Sequence, residues 1–397
     1  MKTIHKSYKY RIYPNEAQKV LLAKHFGSCR FVYNHFLNVK IEAYKANKQS
    51  FTYFDATKQL THLKKQSEYA WLKEIGVTSL RIALKNLDSA YQAFFRKQNQ
   101  FPKFKNKHAK QSFKVLQNIK IKDTKLIIPK FREGIKINLS REPEGRVLFA
   151  TISKTINNKY CVSITCETTH KPLPKAGAKI GIDTGVKDLA TLSTGQTYEN
   201  PKILKTHLKK LKYEQRQLSK KKKGSNARFR QRQKVARLHQ RIADIRQDYL
   251  HKSTSDIIKN HDTICIEDLA VKNMIKNHRL AQALSDVSLG EFYQMLEYKA
   301  SWNDRTIVKV GRFFPSSKMC SSCGSIKEDL TLKVRQWTCK DCGTHHDRDV
   351  NASKNILNEG LKILCGCGLQ SHVKQKQVEA LPLGKSMKPE FETEISF

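Results

Sequence analysis

Acidic side chains are scarce in this chain of 397 residues: 35 Asp and Glu stand against 75 Lys and Arg, a formal net charge of +40. Self-repulsion of that size penalises a compact state unless a polyanion offsets it. A compact DNA-binding module makes roughly 6–10 phosphate contacts, so the excess points to an extensive polyanion over one short operator. A generically basic ribosome-associated protein would account for the charge, though not for the acids described below. Long apolar runs are missing as well. None approaches the roughly 18–20 residues that span a bilayer, and Met1–Lys6 opens no secretory signal. A cytoplasmic protein with no membrane partner is expected. The cytosol keeps thiols reduced, so the ten cysteines are not expected to form a disulfide framework.

Three acidic positions stand out. In Lys179–Gly185, Ile180 and Ile182 alternate around Gly181 like a short buried strand that delivers Asp183 to its end. Thr184-Gly185 then turns the chain and Leu189–Ser193 reads as the returning strand, although Asp before Thr-Gly is also ordinary turn chemistry. Thr263–Leu269 is a second apolar run ending on carboxylates, Glu267 and Asp268. In His346–Ala352 an acid precedes a helix-like stretch through Leu357, where Asp349 could equally be an N-cap. Three acids converging from distant parts of one α/β sheet are what a pair of divalent metals needs for phosphodiester hydrolysis. Oxygen ligands hold Mg²⁺ about 3.5–4 Å from its partner, one ion activating water and the other stabilising the leaving oxygen.

The length implies two or three domains. Tyr8–Tyr13 alternates like a strand, Pro14 ends it, and Asn15 with Gln18 resembles a capping box opening a helix through Leu21, Leu22 and Phe26 that Gly27 stops. A second helix carries Val32, Phe36, Val39 and Ala43, and two more follow over Tyr53–Lys65 and Thr78–Lys97, giving a helical module across 15–100. In Phe101–Lys107 apolar and basic residues interleave, as half-buried anchors or as a surface for bases and phosphates. Short β-like runs at Leu126–Ile128, Gly134–Leu139, Val147–Ile152 and Tyr160–Thr165 predict a small barrel from 1–14 and 101–174, with Pro172 and Pro174 as the linker out of it.

An α/β domain is expected over 175–314 and 346–362. Within it, Leu204, Leu208, Leu211, Gln215 and Leu218, then Val235, Leu238, Ile242, Ile245 and Tyr249, predict an antiparallel helical hairpin broken at Lys220–Asn226. Its seam should face the domain and its Lys/Arg faces should point outward, to nucleic acid or to solvent. Beyond Val271–Asn277, read as a loop, a helix around Phe292, Leu296 and Tyr298 and a strand at Thr306–Val310 are expected. Residues 363–397 read as a disordered tail in which Cys365 and Cys367 are adventitious.

Cys320 and Cys323, fifteen residues, then Cys339 and Cys342 match a four-cysteine zinc ribbon over 315–345. Gly324 and Gly343 follow the two pairs, freeing each knuckle to turn its backbone toward the sulfurs. Four thiolates close the tetrahedron, so this zinc is structural. His345 and His346 are spare imidazoles outside the ligand set.

In order along the chain, Gly181–Gly185, Ile266–Leu269, Phe314–Cys320, the paired cysteine knuckles and Asp347–Ala352 resemble the transposon-encoded TnpB (OrfB) family. Tyr10–Pro14, Phe31–Asn34 and Asn200–Leu204 fit as well. The resemblance implies an RNA-guided double-stranded DNA endonuclease of a bacterial or archaeal nucleoid, related to type V CRISPR effectors. A transposon-derived guide RNA would pair with target DNA beside a short adjacent motif, the protein being monomeric with its RNA. The implied fold is a multidomain α/β chain: a RuvC-like RNase H domain with an inserted zinc ribbon that helps load DNA, and an N-terminal β-barrel interrupted by the helical module. On that pattern Asp183, Glu267 and Asp349 hold catalytic Mg²⁺, and Asp268 and Asp347 do not. Ser79, Arg81, Lys85, Lys103, Lys105, Lys220, Lys221 and Lys222 are the candidate nucleic-acid contacts. A nuclease-inactive guided repressor and an RNA-independent transposase are the alternatives.

Overall fold

The computed structural model describes residues 2–48, 50–331 and 333–366. These form two compact units: one takes the chain to Pro174 plus Lys202–Ser255 and Ser301–Asp304, the other Lys175–Pro201, Asp256–Ala300 and Arg305 onward.

In the first unit, strand β1 (Lys2–Tyr13) alternates so that Ile4, Tyr8, Tyr10 and Ile12 are buried on one face. Helices α1 (Glu16–Asn47), α2 (Tyr53–Leu63) and α3 (Val77–Phe95) follow, then strands β2 (Gln111–Val115), β3 (Lys120–Lys122), β4 (Lys125–Ile128), β5 (Phe131–Asn138), β6 (Arg146–Lys154) and β7 (Tyr160–His170). They make a seven-stranded sheet in the order β2-β6-β7-β1-β5-β4-β3, every pair antiparallel. The first segment of the chain is thus a central strand. Where the sequence predicts a closed barrel, no pairing joins β2 to β3 among the described residues.

The capping box forms as expected: Asn15 Oδ1 accepts the Gln18 N–H at 2.8 Å and the Asn15 N–H donates to Gln18 Oε1 at 3.1 Å. Gly27, however, does not stop the helix, which runs unbroken to Asn47. A mid-helix glycine costs about 1 kcal/mol relative to alanine. That is outweighed by one continuous apolar stripe, Leu22, Phe26, Cys29, Val32, Tyr33, Phe36 and Leu37, buried with Ile12, Ile135 and Val162 of the sheet.

Helices α4 (Ile203–Ser219) and α5 (Asn226–Asn260) form the basic hairpin. Ile203, Leu211, Val235, Leu238 and Ile242 cluster as a seam between its two helices. Arg232 Nη2 donates to the His108 carbonyl at 2.9 Å and Gln233 Nε2 to that of Ile156 at 2.8 Å, so residues 202–255 join the first unit and not the α/β domain assigned to them from sequence.

The second unit is built on β8 (Lys179–Asp183), β9 (Asp188–Leu192), β10 (Thr197–Glu199), β11 (Thr263–Glu267) and β12 (Thr306–Val310), ordered β10-β9-β8-β11-β12. The first three strands form an antiparallel meander, whereas β8, β11 and β12 run parallel. Helices α6 (Val271–Met274), α7 (His278–Val287) and α8 (Leu289–Trp302) lead to β12, so Val271–Asn277 is partly helical and not simply a loop. Strands β13 (Gln336–Thr338) and β14 (His345–Asp347) pair as a hairpin that runs directly into α9 (Arg348–Gly366).

Helix α9 lies hard against the sheet because glycines remove the obstacle on both sides. A Cβ at Gly181 of β8 would sit 2.0 Å from the Ser353 carbonyl, and one at Gly360 of α9 would sit 2.4 Å from Cys265 Sγ of β11. The helix also continues through Gly366, so 363–366, expected to be disordered, are helical; the rest of that tail, Cys367 included, lies outside the described residues. Its Ile356 buries against Cys265, Val308 and Val310, which seats the helix on the sheet. Among the described residues no helix is long and apolar enough to cross a membrane.

Candidate active site and cysteine knuckle

Parallel pairing of β8 with β11 aligns Ile182 with Ile266, so Asp183 and Glu267, the next residue of each, leave the same sheet edge. Carboxyl ends of parallel strands are where open α/β sheets place ligands. Helix α9 brings Asp349 to the same region in its first turn. All three are half-buried, whereas Asp268 and Asp347 are exposed. Burial, then the facing charges of Glu267 and Asp349, raise the Asp183 carboxyl to about 8, while Arg348 and a hydrogen bond from the Thr184 backbone pull it back. The three acids therefore act on one another.

The helix start separates two roles that the sequence leaves merged. Asp347 Oδ1 accepts the N–H groups of Asp349 and Val350, both at 3.0 Å, so Asp347 is the cap and the Asp349 side chain is not used for it. Arg335 Nη1 lies 3.5 Å from Asp349 Oδ2. Asp268 is held by Arg312, Nη2 to Oδ2 at 3.0 Å. Two neighbours of the acids were not singled out from sequence. Ser316 Oγ donates to Glu267 Oε1 at 2.6 Å, and the Tyr293 hydroxyl lies 2.6 Å from Thr184 Oγ1. Burial raises the Tyr293 pKa, and the charges of Glu267, Asp183 and Asp268 add to it. Ser316 lies within Phe314–Cys320, so that motif was the available signal; for Tyr293 nothing local distinguished it from a core aromatic.

Cys320, Cys323, Cys339 and Cys342 have all their Sγ atoms within 4.8 Å of one another. The Cys320–Cys342 and Cys323–Cys339 separations are both 3.6 Å. Zn–S bonds of about 2.3 Å in a tetrahedron put sulfurs about 3.8 Å apart, so the set fits a zinc ion. Gly324 and Gly343 take positive φ, 82° and 70°, which lets their N–H groups bond the carbonyls of Cys320 at 2.9 Å and Cys339 at 3.0 Å. His346 is nearer than a spare imidazole: it is buried, with Nε2 3.0 Å from Cys320 Sγ. Among the described residues this is the sole set of His, Cys, Asp or Glu ligand atoms gathered so tightly.

The basic candidates divide. Arg81, Lys85, Lys103, Lys105, Lys220, Lys221 and Lys222 are exposed. Ser79 is not available to nucleic acid: it is 5% exposed and its Oγ donates to the Lys114 carbonyl at 2.9 Å. Its place on the inner face of α3, beside Leu80 and Ala83, explains the burial.

Fold and site together define a multidomain α/β protein with a strand-end acid cluster and a four-cysteine knuckle leading into the helix that carries the third acid. The family profile described as "Probable transposase" (OrfB of IS605) matches residues 160–278, the "Cas12f1-like, TNB domain" profile 290–356, and an OrfB "Helix-turn-helix domain" profile 1–49. In the last stretch the structure has one strand and one long helix. A Streptomyces pristinaespiralis protein is 40% identical over 93% of this chain and 93% of its own length, and Escherichia coli InsQ is 33% identical over 94% and 96%. Both carry the name "Putative RNA-guided DNA endonuclease". The Cas12f1 chain of a cryo-EM Cas12f1–sgRNA–target DNA complex is similar in fold, with a TM-score of 0.52 at 14% identity over 90% of this chain and 99% of that one. The chain belongs to the transposon-encoded OrfB (TnpB) family.

Proposed function

We propose that the protein is an RNA-guided, Mg²⁺-dependent endonuclease for double-stranded DNA, with Asp183, Glu267 and Asp349 as the ligands of the catalytic metals. The observation that carries this reading is the raised Asp183 carboxyl, pushed up by burial and then by Glu267 and Asp349 across a shared sheet edge. Half-buried carboxylates that repel one another are relieved by divalent cations, and an all-oxygen donor set suits Mg²⁺. The order β10-β9-β8-β11-β12, with three antiparallel strands followed by two parallel ones, supports a RuvC-like RNase H domain. The first unit is read as the barrel-like and helical module that meets guide and target, with Arg81, Lys85, Lys103, Lys105 and the Lys220–Lys222 run as phosphate contacts. Residues 315–345 are read as a zinc-bound ribbon.

When bound, the metals supply an activated water and charge neutralisation at the scissile phosphate. The chain's own residues do the rest. Asp183, Glu267 and Asp349 would present their carboxylate oxygens from two strand ends and a helix start. Ser316 orients Glu267, and Asp347 holds the first turn of α9 in place. Guide pairing selects the sequence while the basic surfaces bind backbone, a division that leaves base identity to the RNA.

The test is Asp183→Ala in the guide-loaded protein. Cleavage should fall to background while guided DNA binding persists, because the carboxylate acts at the metal and not at the phosphate-binding surface. Loss of binding together with cleavage would remove the assignment. Absence of co-purifying RNA would favour an RNA-independent transposase, and guided footprinting by a wild-type protein that cuts nothing would favour a repressor.

A further inference from the structure

The segment that enters the cysteine knuckle is tied to the acids by a chain of hydrogen bonds. Asn351 and Asn355, one helical turn apart on α9, both reach it. Asn355 Nδ2 donates to the carbonyls of Ser316 at 2.8 Å and Met319 at 2.6 Å. Asn351 Nδ2 donates to the Met319 carbonyl at 2.7 Å, and its Oδ1 accepts the N–H of Ser321 at 2.9 Å. Ser321 lies between Cys320 and Cys323. The other end of the segment, Ser316, donates its hydroxyl to Glu267 Oε1 at 2.6 Å. Asn351 and Asn355 are each 1% exposed and Ser316 is 7% exposed, so none of these bonds has water as an easy substitute.

One detail argues that the arrangement is held for more than packing. Asn355 Oδ1 is buried without a hydrogen-bond partner. An orphaned buried acceptor destabilises the fold, and such local costs are kept where position matters to function. Both donor hydrogens of that amide go to the two carbonyls that fix where Ser316 sits.

We propose that Ser316 is a positioning residue for Glu267 and that the Asn351–Asn355 pair is the clamp that sets it, so the cysteine knuckle and the catalytic carboxylate are seated as one piece. The hydroxyl engages Oε1 and fixes the carboxylate rotamer, so that Glu267 would be held ready for a cation. Partners that orient a metal ligand in this way are typically worth about 10–100-fold in metal affinity. The inference rests on the nuclease reading and adds to it a residue that acts through Glu267.

The experiment measures Mn²⁺ binding to the full chain with its guide, by electron paramagnetic resonance, counting the ions bound by wild type but not by Asp183→Ala. Zinc content, melting temperature and guided DNA binding are measured in parallel. Ser316→Ala is expected to weaken that Mn²⁺ binding about tenfold or more, with zinc, melting and DNA binding unchanged, and Ser316→Thr, which keeps the hydroxyl, to restore most of it. Asn355→Leu should weaken Mn²⁺ binding in the same way while keeping its zinc. Ser316→Ala within about twofold of wild type would overturn the proposal. So would a Ser316→Ala defect that the threonine variant does not rescue, or one accompanied by loss of zinc and a lower melting temperature. A wild-type protein that shows no Asp183-dependent Mn²⁺ site would instead overturn the nuclease reading, which separates the two failures.

Discussion

Asp347 caps the helix whose first turn carries Asp349: one carboxylate oxygen, Asp347 Oδ1, takes the backbone N–H groups of Asp349 and Val350 at 3.0 Å each. Two acids, two residues apart, thereby acquire different work. The exposed one satisfies orphan donors of the first turn, and the half-buried one faces Asp183. Asp347→Ala should therefore cost about 1 kcal/mol of stability and leave metal-dependent cleavage largely in place. Asp349→Asn should keep the melting temperature and lose cleavage. Thermal melts and a guided cleavage assay on the two variants check this, and a reversed pattern would contradict the division.

The Asp183 carboxyl gives a signed pH dependence. Its folded pKa of about 8 lies above its ordinary 3.8, so the metal-free folded state holds the proton more tightly than the unfolded chain does. Stability from this group is fully present below about pH 4 and is lost as pH rises through about 8. Melting of the metal-free protein should fall across that window relative to Asp183→Asn, in which the slope is absent. Added Mg²⁺ should recover stability most at the alkaline end, because cation and proton compete for the same oxygens.

Glycines at three positions are separable. Gly181→Ala drives a Cβ to 2.0 Å from the Ser353 carbonyl and should cost about 3 kcal/mol or more by lifting α9 from β8. Gly311→Ala meets nothing within 4 Å and should stay within about 0.5 kcal/mol. Gly27→Ala, in the interior of α1 with its nearest neighbour 3.9 Å away, should stabilise by about 0.5–1 kcal/mol. Denaturant midpoints order the three.

Metal analysis should find zinc that Cys342→Ser or Cys339→Ser abolishes and that Cys365→Ser, outside the four-sulfur group, retains. Chelation should unfold the β13–β14 hairpin and, through Ser321 and Met319, loosen the start of α9. Retention of zinc by either knuckle variant would mean that His346, 3.0 Å from Cys320 Sγ, can serve as a ligand.

Replacing Lys220, Lys221 and Lys222 with Ala should flatten the salt dependence of guide RNA binding. Every phosphate of single-stranded RNA that goes unneutralised lowers the slope of log affinity against log salt by about 0.7. An unchanged slope would make that run a solvated loop between α4 and α5.

Much of this was readable along the chain because it is local. Alternation around Gly181 and in Thr263–Glu267 gave β8 and β11, Asn15 and Gln18 gave the start of α1, and cysteine spacing gave the knuckle. The failures each depend on a partner distant in sequence. Gly27 reads as a stop until the sheet that buries both halves of α1 is known. Ser79 reads as exposed until Lys114 takes its hydroxyl. A heptad-like seam such as that of Leu211 and Leu238 declares that a helix will pair but not with what, so the hairpin's attachment to the first unit was not decided by it.

Taken alone, the order of residues determined which side chains are chemically equipped: the carboxylates at apolar run ends, the thiols in two pairs, and a cationic excess that calls for a polyanion. Composition and short-range periodicity fix such things because they depend only on neighbours within a turn or a strand. Only the tertiary structure decided which acid caps and which faces the cluster, and that Ser316 lies on Glu267. Those outcomes depend on strand register and on the close seating of α9 at Gly181 and Gly360, where distances of a few ångströms set burial and charge interaction.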